Sequence, residues 1–169
     1  MYKRQPYTYA RDVLTLHDLT GGRFICGIGT GGTLDAGILG DSLTVRERVD
    51  RFAEFVAVLD RLLREDHVDH RGPWFTTVDA RTLPGPIRSA VPLVIAANGP
   101  RGVRLAAAYG DGWVTTGSGG DDLDSWFRGV GFEHSHITGI RAVRAGPVGD
   151  DVGEAELACA TGHLGIQAT

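Results

Sequence analysis

The 169-residue sequence has few cysteines, no long apolar run and no excess of positive charge. Its two cysteines, Cys26 and Cys159, are too few for a disulfide framework and lack zinc-site spacing. No apolar run approaches the roughly 18 to 20 residues of a membrane-spanning helix, and no secretory core follows the N-terminus. We therefore expect a cytoplasmic protein without a membrane partner. The net charge of −4, with both signs interleaved, leaves no basic face for nucleic acid.

The sequence also lacks a recognisable metal or catalytic constellation. His67 and His70 stand three residues apart, and His134 and His136 stand two apart, with no cysteine or matching carboxylate motif nearby. We therefore expect no metal site. No Ser-His-Asp set or carboxylate pair can be assigned from spacing, so the catalytic residues stay unknown. The residues that are present indicate binding rather than bond-making chemistry.

Glycine is abundant, at 25 residues, and many glycines directly follow strand-like runs. The hydrophobic pattern alternates between strand and helix, which predicts a parallel α/β architecture. The predicted elements are a helix over 8–19, a strand over 23–29, a glycine-rich loop over 29–40, a helix over 46–64, a hairpin around 68–75, a proline-marked loop over 83–86, a strand over 91–97, a helix over 101–109, a strand over 113–116 and a helix over 121–130.

The first candidate loop is Gly27-Ile28-Gly29-Thr30-Gly31-Gly32, which satisfies the glycine spacing of a dinucleotide-binding fingerprint. A NAD-binding Rossmann domain needs a helix that opens at Gly32. The strong helical pattern begins about a dozen residues later, which disfavours that alternative. A glycine-rich loop without a ligand is a second alternative.

The second candidate loop runs from Ala96 to Gly102, between a strand and a helix. The amide groups of a helix's first turn and the cationic Arg101 favour a phosphate, although an arginine at this position can also be merely solvated. In the next strand, Thr115 and Thr116 face opposite sides of the sheet, so at most one points into a site. Trp113 is expected in the core.

Four collinear motifs together resemble the luciferase-like monooxygenases, with a coverage of about Thr8 to Val130. These motifs are residues 19–31, 46–52, 83–86 and 97–113. The Asn-Gly-Pro and threonine-rich versions are most similar to the members that use coenzyme F420, a deazaflavin hydride carrier. The resemblance implies an α/β fold that is part of a (β/α)₈ TIM barrel, with strands from the second half of the barrel and ligands at their C-terminal face.

The resemblance also implies site residues. The cofactor-binding residues would be Thr30 and Gly31 at the deazaflavin, and Asn98, Gly99, Arg101 and Gly102 at its phosphate tail. Thr116 matches a substrate-side threonine of the sugar-phosphate dehydrogenase branch. That branch carries a glutamate proton donor where this chain has Gly32, an asparagine where it has Asp35 and a phosphate-binding lysine where it has Gly119. A sugar phosphate is therefore not the expected substrate.

The function implied by the resemblance is hydride transfer between coenzyme F420 and a small organic molecule, by a protein that is expected to form homodimers. Two alternatives stay open. One is an FMN-dependent monooxygenase of the same family, and the other is a non-enzymatic flavin-binding relative of the barrel.

The domain prediction has three parts. Residues 1–5 resemble the translation of a sequencing adaptor, residues 6–130 form the partial luciferase-like barrel, and residues 131–169 are a tail without an interpretable pattern. The early strands of the family, which carry the ring-facing residues, would precede Pro6. We therefore expect the C-terminal half of a longer enzyme, inactive and not stably folded alone because its sheet edges would be exposed.

Overall fold

A computed structural model describes residues 5–82 and 91–115 and the backbone of two further strands. The chain divides into two compact units, Met1–Pro92 and Leu93–Thr169. The helices are α1 (Pro6–Leu19), α2 (Thr33–Ile38), α3 (Val45–Arg64) and α4 (Pro100–Tyr109). The strands are β1 (Cys26–Gly29), β2 (Val68–Arg71), β3 (Thr76–Ala80), β4 (Leu93–Ala96), β5 (Gly112–Thr115), β6 (Arg141–Arg144) and β7 (Leu157–Cys159).

The helix α1 has sequence signals at both ends. Pro6 occupies the first turn, where its missing N–H costs no hydrogen bond. At the other end, Gly21 and Gly22 adopt φ values of +61° and +81°, and the Gly22 N–H donates to His17 O at 2.8 Å. Because glycine reaches this left-handed region without a steric penalty, the glycine pair ends the helix as predicted.

The long helix α3 begins with a reciprocal cap. The Glu47 N–H donates to Thr44 Oγ1 at 3.3 Å, and the Thr44 N–H donates to Glu47 Oε2 at 2.8 Å. One face of this helix is apolar and buried. Its buried apolar residues are Phe52, Phe55, Val56, Val58, Leu59, Leu62 and Leu63. The helix therefore supplies much of the core of the first unit.

Aromatic rings connect three elements of the first unit. The Phe55 ring of α3 lies 5.6 Å from the Tyr9 ring of α1 and 5.7 Å from the Phe75 ring, centroid to centroid. Tilted and edge-on arrangements at such distances are favourable for aromatic pairs. The residues 68–80 form the predicted hairpin, in which β2 and β3 pair antiparallel.

Glu54 of α3 binds the turn of this hairpin. Its carboxylate accepts hydrogen bonds from the N–H groups of Phe75, at 2.8 Å, and Trp74, at 3.3 Å, and lies 3.0 Å from His70 Nε2. A Cβ on Gly72 would come within 2.1 Å of Glu54 Oε1. A side chain at this position would therefore displace the Glu54 carboxylate from its place against the turn.

The second unit contains the predicted parallel strands. β4 pairs parallel with β5, β5 pairs parallel with β6, and β7 pairs antiparallel with β6. Asp111 sets the start of the β4–β5 pair, because its carboxylate accepts from the Leu93 N–H at 2.9 Å while its own N–H donates to Leu93 O at 2.7 Å. The predicted α/β class with parallel strands is confirmed.

One prediction for the first unit is wrong. The segment 29–40 is not a continuous loop, because the short helix α2 opens directly after Gly32. The Asp35 carboxylate accepts from the Gly32 N–H at 3.4 Å, a contact that favours helix initiation at this point. Across residues 5–82 and 91–115, none of the helices has the length and apolarity needed to span a bilayer.

Candidate functional site

The carboxyl end of β4 leads into a loop that holds several of the predicted site residues. The indole Nε1 of Trp113, a side chain that is 1% exposed, donates to Ala97 O at 2.8 Å. The Ala97 N–H donates to Val114 O at 3.0 Å. These two bonds tie the first residue after β4 to the neighbouring strand β5. Trp113 therefore belongs to the core, as predicted, and fixes the loop that follows β4.

Asn98 is oriented by a buried hydroxyl. Thr115, which is 2% exposed, donates from Oγ1 to Asn98 Oδ1 at 2.8 Å. Because the Thr115 hydroxyl is buried on β5, it holds the exposed Asn98 amide at the strand end in one orientation. This role of Thr115 was not predicted from the sequence. The signal was available, since Thr115 shares a strand face with Trp113, whose burial was predicted.

The two glycines of this loop have different surroundings. A Cβ on Gly102 would lie 2.7 Å from Ala97 Cβ, so only glycine allows α4 to start this close to the end of β4. A Cβ on Gly99, the residue that precedes the helix, would meet nothing within 4 Å. Gly102 therefore has a packing role, while Gly99 faces open space.

The structure brings four of the predicted cofactor-binding residues together at the start of α4. These are Asn98, Gly99, Arg101 and Gly102. Arg101 is exposed in the first turn, next to Pro100, which has no N–H. Backbone amide groups and one cationic side chain form a donor set suited to an anion.

Thr30 and Gly31 belong to the first unit, directly after β1. Thr30 is half-buried, Gly31 is exposed, and Gly31 adopts φ +74°. A left-handed residue at this point turns the chain from the strand toward α2. Thr30 and Gly31 therefore have the backbone setting of a βα loop, which is where ligand-binding residues of α/β proteins lie.

The other end of this loop is held by a charged contact. Arg51 Nη2 of α3 lies 2.6 Å from Asp41 Oδ2, and the Leu43 N–H donates to Asp41 Oδ1 at 3.1 Å. The Leu43 N–H, together with the Arg51 guanidinium, lowers the pKa of the Asp41 carboxyl. Asp41 is therefore a carboxylate in the folded protein well into the acid range.

Several predicted residues lie outside the part of the chain that the structure describes. They are Thr116, Gly119, His134 and His136. His67 pairs with Asp79, and His70 pairs with Glu54. Among residues 5–82 and 91–115, no three or more histidine, cysteine, aspartate or glutamate side chains are grouped as metal ligands.

The chain matches known proteins over most of its length. A family model described as luciferase-like monooxygenase matches residues 1–130. The chain is 32% identical to an F420-dependent hydroxymycolic acid dehydrogenase of Mycobacterium tuberculosis over 68% of its own residues and 32% of that protein. It is 36% identical to an F420-dependent glucose-6-phosphate dehydrogenase of Kineococcus radiotolerans over 71% of its own residues and 36% of that protein.

The chain belongs to the luciferase-like monooxygenase family. The same fold is found in a solved F420-dependent secondary alcohol dehydrogenase, which holds an F420-acetone adduct. The TM-score is 0.63 at 26% identity, over 83% of this chain and 44% of that one. The predicted fold, part of a luciferase-like (β/α)₈ barrel, is confirmed. The chain spans about a third of the length of the curated relatives described above.

Membership of this family decides against the Rossmann alternative. Gly32 does precede a helix, as the third glycine of a dinucleotide-binding fingerprint should. However, α2 has only six residues, and none of residues 39–44 forms a strand before α3. The strand–helix–strand unit of a Rossmann domain is therefore missing at this point in a luciferase-like chain.

Proposed function

We propose that the protein binds coenzyme F420 and transfers hydride between this deazaflavin and a small organic substrate. The observation that carries the proposal is the agreement of the relatives, which are named as F420-dependent dehydrogenases at 32–36% identity. A solved structure with 26% identity supports it, because that enzyme holds an F420-acetone adduct. With this proposed activity, the protein is an oxidoreductase.

The loop between β4 and α4 fits the anionic tail of such a cofactor. Gly99 leaves open space at the strand end, since a Cβ there would meet nothing within 4 Å. Arg101 is exposed one residue beyond Pro100, in the first turn of a ten-residue helix. We propose that Asn98, Gly99, Arg101 and Gly102 hold the phosphate, through backbone amides, the helix dipole and the guanidinium.

The residues of this chain bind and orient, while the deazaflavin, when bound, supplies the hydride chemistry. The Thr115 hydroxyl orients the Asn98 amide in the absence of a ligand. Binding therefore carries a smaller entropic cost, because that side chain is already ordered. Thr30 and Gly31 are proposed to line the deazaflavin. Thr116 is proposed to contact the substrate.

The proposed substrate is an organic molecule without a sugar phosphate. The resemblance implies that the branch acting on sugar phosphates carries a proton-donating glutamate in place of Gly32 and a phosphate-binding lysine in place of Gly119 of this chain. Glycine has no side chain, so neither residue can donate that proton or bind that phosphate through a charged side-chain group. A secondary alcohol or the corresponding ketone is a suitable first choice, since the solved relative holds an acetone adduct. A cytoplasmic location and homodimers are part of the same proposal, and the family resemblance supports the homodimers.

The test is reconstitution of the complete gene product with each cofactor. With F420 and a panel of secondary alcohols, we expect the deazaflavin absorbance to fall as the alcohol is oxidised. FMN-dependent oxygen consumption, with no reduction of F420 by any substrate, would replace this proposal with the monooxygenase alternative. Tight cofactor binding without turnover of either kind would favour a non-enzymatic flavin-binding relative.

A further inference from the structure

Two arginines of α3 hold the two ends of the segment 32–41. Arg48 donates from Nη1 to Gly32 O at 3.1 Å and from Nη2 to Thr33 Oγ1 at 3.0 Å. Arg51, three residues later on the same face of the helix, contacts Asp41 at the far end of the segment. Side chains of α3 therefore hold the segment 32–41 at both of its ends.

Arg48 is unusual in its burial. Its residue surface is only 6% exposed, and its Nε is buried without a hydrogen-bond partner. Within residues 5–82 and 91–115, no carboxylate lies within ion-pair distance of its guanidinium. The charge of Arg48 does act on Asp41, because it contributes to the lowered pKa of that carboxyl. Burial of the guanidinium costs free energy, which its two hydrogen bonds and this longer-range attraction offset.

The part of α3 that carries Arg48 is held by a helix cap and by packing in the core. The reciprocal cap between Thr44 and Glu47 fixes the start of α3 immediately before Arg48. Phe52, one turn further along the same face, is buried in the core. The planar guanidinium reaches two acceptors at once, which the point charge of a lysine ammonium cannot do in the same geometry.

We propose that Arg48 is a positioning residue for the segment 29–41 after β1, which contains the proposed cofactor-binding residues Thr30 and Gly31. By holding Gly32 O and Thr33 Oγ1, it fixes the chain directly after Thr30 and Gly31 and maintains the left-handed turn at Gly31. The loop thus has its bound conformation before the cofactor arrives, which lowers the entropic cost of binding. The link to the cofactor rests on the proposed function, whereas the holding of the loop does not.

The test compares Arg48→Gln and Arg48→Lys with Arg46→Gln, a control at an exposed arginine of the same helix. Hydrogen exchange of the backbone is measured over residues 29–41 in the complete gene product without cofactor. We expect faster exchange there in both Arg48 variants, with residues 51–64 and 68–80 unchanged, and no change in the control. Unchanged exchange over 29–41 would overturn the proposal. Arg48→Lys keeps the charge and serves as the decisive variant if Arg48→Gln loses exchange protection everywhere.

The second measurement is F420 affinity, by quenching of the deazaflavin fluorescence. We expect both Arg48 variants to raise the Kd about tenfold, a loss typical of a hydrogen bond to a charged group. Restored affinity in Arg48→Lys would show that charge alone matters and would overturn the positioning role. Faster exchange over residues 29–41 together with an unchanged Kd for F420 would overturn the link to the cofactor. If the unaltered protein binds no F420, the proposed function fails, and the exchange experiment still decides whether Arg48 holds the loop.

Discussion

The Thr115 hydroxyl donates a 2.8 Å hydrogen bond to Asn98 Oδ1, joining the last residue of β5 to the loop after β4. Thr115 is almost fully buried, whereas Asn98 is exposed. A residue of the sheet interior therefore determines how a residue at the candidate phosphate site presents its amide. This relationship leads to the first prediction.

Replacing Thr115→Val removes the hydroxyl while keeping the side-chain shape. We expect the free energy of unfolding to fall by about 1 to 2 kcal/mol, because a buried hydrogen bond is lost. We also expect weaker F420 binding, because the Asn98 amide is no longer held. Urea unfolding and fluorescence titration measure the two effects. Thr115→Ser keeps the donor and serves as the control; equal F420 affinity in Thr115→Val and the unaltered protein would refute the role assigned to this bond.

A methyl group on Gly102 should disrupt the start of α4. In Gly102→Ala the new Cβ would lie 2.7 Å from Ala97 Cβ. The contact joins two side-chain carbons that cannot move aside, so the clash should cost about 2 to 3 kcal/mol, more than the roughly 1 kcal/mol that alanine gains over glycine in a helix. Urea unfolding tests this, with Gly99→Ser as the control, because that position is open and serine is a favourable N-cap. Equal stability of Gly102→Ala and the unaltered protein would contradict the close approach.

Cys26 should be unreactive in the native protein. Burial raises the pKa of its thiol, and the nearby Tyr9 hydroxyl opposes this shift only in part. The thiolate is the nucleophile, so alkylation should be slower by about a hundredfold than in denaturant. The measurement uses iodoacetamide and a Cys159→Ser variant, in which Cys26 is the one cysteine left among these 169 residues, and the labelled peptide is identified by mass spectrometry. Labelling at the same rate in native and denatured protein would show that β1 is not buried.

Asp41 should make stability depend on pH only in the acid range. Its pKa is lowered in the folded protein, so its contribution is fully present above the ordinary value of 3.8 and is lost as the pH falls through the lower folded value. The difference in unfolding free energy between the unaltered protein and Asp41→Asn should therefore stay constant from neutral pH down to about 5 and shrink below about 4. Urea unfolding across this range is the measurement. A difference that grows on acidification would give the pKa shift the opposite sign.

The helices α1, α3 and α4 and the strands β1 to β5 were predictable because their signals are local, whereas β6 and β7 lie in the tail for which no pattern was interpreted. Pro6 at the start of α1 and the glycine pair at its end are direct sequence signals, and the apolar stripe of α3 repeats with helical period. The short helix α2 was missed because two glycines within 33–40 lower its helical propensity, while the contact between Asp35 and the Gly32 N–H stabilises its start.

The contacts that hold the candidate site were not predictable in the same way. The Arg48 bonds join residues that are fifteen and sixteen positions apart, so they depend on how the loop folds back on α3. One signal was present, because Arg48 stands four residues before the buried Phe52 on the same helical face. The Thr115 bond spans seventeen positions and depends on the pairing of β4 with β5.

The central claim is that the protein uses a deazaflavin, and direct competition between cofactors tests it most simply. The complete gene product is titrated with F420, followed by fluorescence, in the absence and presence of FMN. The account predicts that F420 binds at least about tenfold more tightly than FMN, a difference of about 1.4 kcal/mol. Tight FMN binding that F420 cannot displace would contradict it.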